Sequence, residues 1–242
     1  MKAILLAAGK GTRISRHLDG KPKCTVDLGN GKKLIEHTIR ILKSNGIHEI
    51  AIVTGYQHQI IESLLSDQGI QFFYNPFYDV TNSIASLWFA KDFFNTSKDV
   101  LIMNADVFAE ESVYRQVFAC KKNPVFVYDS SRKEEADYKF YCPNGVIEKY
   151  GKQLAGNDIS GEYVGMALIQ EPYISQFVSH LNEMISEQKH DLWWENVFYD
   201  MSATNDIFVE DINGKFWAEV DYIEDYSRIK DYINSKMIEL EY

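Results

Sequence analysis

The chain has 242 residues, 45% of them hydrophobic and 25% charged, with a formal net charge of −10, a profile that predicts a soluble globular protein with a sizeable core. No apolar segment approaches the ~20 residues needed to span a bilayer, no signal-peptide layout is present, and no broad basic stripe invites nucleic acid or an anionic membrane. Cys24, Cys120 and Cys142 are odd in number, at spacings that suit neither a zinc site nor a disulfide framework, which predicts a reducing, cytoplasmic setting.

In chain order, the first predicted element is a buried parallel strand, Ala3-Ile4-Leu5-Leu6-Ala7-Ala8, running into Gly9-Lys10-Gly11-Thr12-Arg13. Ligands in open α/β sheets bind at such C-terminal strand ends, and glycine N–H groups can cradle an anion there. Lys10, Arg13, Lys21 and Lys23 gather positive charge in one loop of an acidic chain, which points to a polyphosphate. The loop is not a P-loop, because Lys10 precedes Gly11, and not a dinucleotide fingerprint, because Ile14 stands at the third glycine position. Leu6-Ala7-Ala8-Gly9-Lys10-Gly11-Thr12-Arg13, followed by Pro22-Lys23, instead resembles the L-A-A-G-x-G-[ST]-R…P-K signature of the nucleotidyltransferases. The resemblance covers nearly the whole chain and is strongest over residues 1–110.

Next come a helix from Leu34 to Leu42 stopping at Asn45-Gly46, a strand from Glu49 to Tyr56 containing Gly55, and a helix from Gln57 to Ser66. A strand follows at Ile70–Asn75, a helix at about Ser83–Phe93 and a strand at Val100–Asp106. This alternation predicts an α/β fold with a Rossmann-like, mostly parallel sheet flanked by helices. Past Asp106 the texture is that of a small antiparallel, substrate-side region. Its strands are predicted at Pro124–Tyr128, at Tyr138–Lys149 around an Asn144-Gly145 turn, and at Gly161–Ile169. A helix opens at Pro172, another at Trp193, a late strand runs from Phe216 to Asp221, and a last helix begins near Glu224. One domain over 1–242 is expected, its nucleotide half ending near residue 110.

Two strand-end acids, Asp106 and Asp221, with Glu219 beside the second, have the donor inventory that Mg²⁺ bound to phosphates requires; helix capping is the plainer duty for each. The resemblance implies that such a pair binds catalytic Mg²⁺, although Asn104-Ala105-Asp106 has an amide where the family usually has its first acid. It also implies that Lys23 and Arg13 are catalytic and that Leu6 to Thr12 bind the nucleotide. The attacking group would be a phosphate oxygen, already ionised at neutral pH, so no histidine is assigned a role.

The segment from Tyr74 to Trp88 resembles the Y-N-x-x-Y-x-x-x-N-[SN]-x-x-S pattern of the phosphocholine cytidylyltransferase branch. It implies CTP as nucleotide, with Gly55, Tyr56, Asn75, Thr81, Asn82, Ser83 and Ser86 around it, though Thr81 or Asn82 also reads as a helix cap. The acceptor stays open. Tyr78, Tyr163, Trp193, Trp194 and Tyr226 could cage a quaternary ammonium, while Glu162, Asp191 or Glu195 could pair with a primary amine. The expected function is Mg²⁺-dependent transfer of CMP from CTP to phosphocholine, an aminoethylphosphonate or an amino-acid phosphate, for a surface glycan or lipid. A sugar-1-phosphate nucleotidyltransferase and a nucleotide binder without turnover are the alternatives.

Overall fold

The apolar run at the head of the chain forms β1 (Lys2–Ala7), whose side chains alternate between two cores. Ile4 and Leu6 enter one apolar cluster, and Ala3 and Leu5 enter another on the opposite face. A strand buried on both faces needs a near-continuous hydrophobic sequence, which is why this stretch shows no polar alternation. The computed structural model describes residues 1–29, 31–95 and 98–240.

From β1 the chain runs through α1 (Leu34–Ser44), β2 (Ile50–Thr54), α2 (His58–Leu64), β3 (Gln71–Tyr74), α3 (Ser83–Phe89) and β4 (Val100–Asn104). Then come β5 (Val107–Ala109), α4 (Glu111–Ala119), β6 (Val125–Asp129), β7 (Lys139–Tyr141), β8 (Lys149–Gly151) and β9 (Gly161–Ile169). The chain closes with α5 (Tyr173–Ser186), α6 (Asn196–Met201), β10 (Phe208–Asp211), β11 (Trp217–Glu219) and α7 (Ile223–Leu240).

The main sheet has the order β10-β6-β9-β4-β1-β2-β3, with β7 attached to β9 and β8 to β7. The pairs β4–β1, β1–β2, β2–β3 and β6–β10 are parallel, and β9 runs antiparallel to both β4 and β6. The fold is therefore the expected mixed, mostly parallel sheet flanked by helices. Because β1, β2 and β4 are parallel and in step, Leu6 pairs with Asn104, and Ala7 with Thr54. Their C-terminal ends share one edge. β9 reverses direction, so its early residues, Tyr163 among them, lie toward that same edge.

The late strand β11 pairs antiparallel with β5 in a separate two-stranded ladder. Two expectations need correction. The helix expected from Trp193 starts at Asn196, because the Trp193 N–H donates to Asn196 Oδ1 (3.0 Å) and the Trp194 N–H to Ser83 Oγ (3.0 Å) rather than entering a helical ladder. Pro172 lies one residue before α5, not inside its first turn. The elements β5, α4 and β10 also go beyond the sequence reading. β5 and β10 are too short to carry a period, and α4 buries few residues, Val113, Tyr114 and Val117.

Candidate functional site

The loop after β1 is shaped by one close approach. Gly11 has φ of +59°, and a Cβ there would lie 2.6 Å from Lys23 Cγ, so a glycine both adopts this backbone and lets the lysine stem cross it. Lys23 follows Pro22 in a short 3₁₀ turn, and its ammonium reaches the acidic group beyond β4. Lys23 Nζ donates to Asp106 Oδ2 (3.2 Å) and also to Asp221 Oδ1, while Arg13 Nη1 donates to Asp221 Oδ2 (2.6 Å).

The small ladder explains how residues so distant in sequence meet. Glu219 pairs with Val107, and the Val220 N–H donates to the Asp106 carbonyl (3.0 Å), which draws Glu219 and Asp221 alongside Asp106. Burial pulls the Lys23 ammonium toward its neutral form, but Asp106 and Asp221 outweigh it and the pKa is raised overall. Glu219 is pushed well above the usual carboxylate range, by burial first and then by the negative charge of Asp106 and Asp221.

These groups form one end of a cleft of about 320 Å³. Gly11, Thr12, Arg13, Lys23, Asn104, Glu219 and Asp221 line that end. Ser83, Asp137, Tyr138, Lys152, Tyr163, Trp193 and Glu195 line the rest. Burial pushes the Glu195 carboxyl up to about 8. The Tyr163 hydroxyl is buried beside it, near enough to perturb its ionisation without a well-formed hydrogen bond.

The expected site residues divide into groups. Leu6, Ala8 and Gly55 are buried at the strand ends, the last against Ala8 and Tyr78. Ala7 is half-buried and Gly9 exposed. Lys10 pairs with Asp79, and Tyr56 packs edge-on to Tyr78 (6.2 Å), so the loops after β1 and β2 touch the Tyr74–Trp88 segment. Of that segment, Ser83 lines the cleft, whereas Asn75 is fully buried and donates to Thr81 Oγ1 (3.2 Å) and Ser86 Oγ (3.0 Å). Asn82 Oδ1 accepts from the Ser83 N–H (2.8 Å) as a helix cap, and its Nδ2 donates to the Asp191 carbonyl (3.2 Å). Asn75, Thr81 and Ser86 thus bind one another, and Asn82 caps α3 and ties it to the turn preceding the tryptophans. Their geometry holds the loop.

Other placements depart from expectation. Trp194 is fully buried, stacked on Phe126, and its Nε1 donates to Asn104 Oδ1 (3.0 Å), so it supports the wall from behind and cannot touch an acceptor. Glu162 accepts from Arg132 Nε (2.5 Å) and the Asp137 N–H (2.7 Å), which leaves it committed to the scaffold. Tyr226 donates to the Asp27 carbonyl (2.5 Å) and packs beside the core under the small ladder, away from the cleft. The sequence reading missed Asp137, Tyr138 and Lys152 as lining groups. Asp137 and Tyr138 precede β7 and Lys152 follows β8, so only the hairpin pairing brings them together.

Hard oxygen donors dominate the acidic end, which suits Mg²⁺: one or two carboxylates, Asp106 and Asp221, with Glu219 behind them, leave room for phosphate oxygens and water. Among the described residues no set of three metal-ligating side chains is assembled on its own.

The sequence profile of MobA-like NTP transferase domains matches residues 3–189. A CTP:phosphoglutamine cytidylyltransferase of Campylobacter jejuni is 30% identical over 93% of this chain and 97% of its own. A choline-phosphate cytidylyltransferase of Streptococcus pneumoniae is 26% identical over 98% and 100%. Among solved structures, CTP:phosphocholine cytidylyltransferase from Streptococcus pneumoniae superimposes with a TM-score of 0.76 at 24% identity, covering 96% of this chain and 98% of that one, and so has the same fold.

Proposed function

Because the chain belongs to the MobA-like NTP transferase family and is a nucleotidyltransferase, we propose that it transfers CMP from CTP to a small phosphorylated, amine-bearing acceptor. The observation that carries this reading is the two-ended cleft: a cationic, carboxylate-edged end built by Gly11 to Arg13, Lys23 and Asp221, continuous with an aromatic end holding Tyr138, Tyr163, Trp193 and Glu195. The names of the two cytidylyltransferase relatives support CTP and a phosphorylated acceptor.

In this reading an acceptor phosphate oxygen attacks the α-phosphorus of CTP in line, a new P–O bond forms, and the bond to the β-phosphate breaks to release pyrophosphate. Both reactants are polyanions. Lys23 and Arg13 draw them together and stabilise charge building on the α-phosphoryl oxygens. In the free site Lys23 is charged, its pKa held up by Asp106 and Asp221. Asp106 and Asp221, with Glu219 in support, would hold Mg²⁺, which when bound supplies Lewis-acid neutralisation of the triphosphate. The nucleophile is already anionic, so no protein base is needed. One domain over the whole chain, a cytoplasmic setting and a product used to decorate a surface glycan or lipid complete the reading. No helix among the described residues is long and apolar enough to cross a membrane.

The test is pyrophosphate release with Mg²⁺, CTP, UTP, ATP, GTP and dTTP being crossed with phosphocholine, 2-aminoethylphosphonate, amino-acid phosphates and hexose 1-phosphates. Release with CTP and an amine-bearing phosphate is expected. Release with hexose 1-phosphates alone would move the chain to the sugar-phosphate branch, and nucleotide binding with no release would make it a binder.

A further inference from the structure

At the mouth of the aromatic end stands an ion pair that neither phosphate binding nor metal binding uses. Lys152 Nζ donates to Asp137 Oδ2 (2.7 Å), and the two side chains are 43% and 62% exposed. Their backbones are fixed from behind: the Asp137 N–H donates to Glu162 Oε1 (2.7 Å), itself gripped by Arg132, and the Lys152 carbonyl accepts from Lys139 Nζ (3.1 Å). The same ammonium stands 5.9 Å from the centre of the Trp193 ring. Both residues line the cleft that ends at Lys23 and Arg13.

This arrangement discriminates between acceptor chemistries. A quaternary ammonium resting on the Trp193 face would meet the like charge of Lys152. Among the described residues lining this end it would find no net counter-charge, since Asp137 is matched by Lys152 and burial favours the uncharged form of Glu195. A ligand with both signs of charge has the opposite relation to the site. Its carboxylate can replace Asp137 on Lys152 while its ammonium takes Asp137. An exposed ion pair is worth little to stability, so exchanging its partners costs little.

We propose that the acceptor is zwitterionic at the end remote from its phosphate, an amino-acid phosphate bearing carboxylate and ammonium groups, and that Lys152 and Asp137 select it. This rests on the transferase reading above. Lys152 is a specificity residue and takes no part in phosphoryl transfer.

Matched acceptors that differ by one carboxylate test it with CTP and Mg²⁺. These are O-phosphoserine against phosphoethanolamine, and O-phosphohomoserine against 3-aminopropyl phosphate, with phosphocholine alongside. At least one carboxylated acceptor is expected to exceed its decarboxylated partner in kcat/KM by about tenfold or more, the worth of a charge-assisted hydrogen bond. Lys152→Met should collapse that ratio toward unity, mainly by raising the KM of the carboxylated acceptor, and Lys152→Arg should retain it. Phosphoethanolamine, 3-aminopropyl phosphate or phosphocholine turning over as well as the carboxylated acceptors would overturn the inference and leave the transferase reading standing. So would equal losses on both members of a pair in Lys152→Met. Absence of pyrophosphate with every acceptor would overturn both.

Discussion

Lys23 is the residue on which the site's charges converge. It is the shared partner of Asp106 and Asp221, and the latter also binds Arg13. Removing the ammonium leaves Asp106 and Asp221 without the cation they share and, in the proposed reaction, removes a donor to the α-phosphoryl group. Lys23→Ala is therefore expected to cut turnover by about 10²-fold or more, and Asp221→Ala similarly, with cooperative unfolding retained in both. Steady-state pyrophosphate release together with thermal denaturation checks this; near-normal turnover in either variant would remove that residue from the mechanism. The motif that marks Lys23 was legible because its glycines and cations are adjacent in sequence. The role of Trp194 was not, because a tryptophan beside another tryptophan gives no sign of which one faces inward. Only the Nε1 bond to Asn104 settles that.

At the level of elements, β9 is where the sheet accommodates the cleft. Its register against β6 shifts between Phe126 and Tyr128, and Gly165 adopts φ of +82° inside the strand. A Cβ at Gly165 would lie 2.9 Å from Val107 Cγ2 and 3.3 Å from Asn104 Nδ2. Gly165→Ala thus combines left-handed strain with a clash against the small ladder and should destabilise by about 1–3 kcal/mol, read as a lowered urea midpoint with unchanged slope. An unchanged midpoint would mean that the strand relaxes freely there. The strand itself was readable from its apolar run, yet nothing in Gly161–Ile169 announced the bulge. The β7–β8 hairpin behaves the same way: its Asn144-Gly145 turn is a local signal, while the meeting of Asp137 with Lys152 depends on register.

For the molecule as a whole, a half-buried histidine and a buried carboxyl give stability a pH dependence of opposite sign. Burial lowers His37 to about 4, from its place stacked on Phe108. Its stabilisation is complete above the unfolded value near 6.5 and is lost as pH falls toward 4, because the unfolded chain takes up the proton first. Glu195 is raised to about 8. The folded state retains that proton while the unfolded chain has lost it, so stability falls as pH rises from about 4.5 to 8. Glu195→Gln should therefore gain stability relative to the wild type as pH goes from 5 to 8.5, measured by urea denaturation. A constant difference across that range would mean that Glu195 ionises normally in the fold.

What can be read along the chain is local: strands and helices from their periodicity, a loop of adjacent glycines and cations after the first strand, and family membership from an unbroken motif. These survive because each depends on residues within a few positions of one another. The assembly of the cleft depends on contacts across most of the chain length. Asp221 reaches Lys23 only because β11 pairs with β5, and Lys152 reaches Asp137 and Trp193 only because β8 pairs with β7 and β7 with β9. Strand register has no signature in either partner alone, since it is set by how two buried faces fit; that is why the glycine- and cation-rich loop at one end of this cleft was legible in advance, while the meeting of Asp137 with Lys152 at the other emerged with the fold.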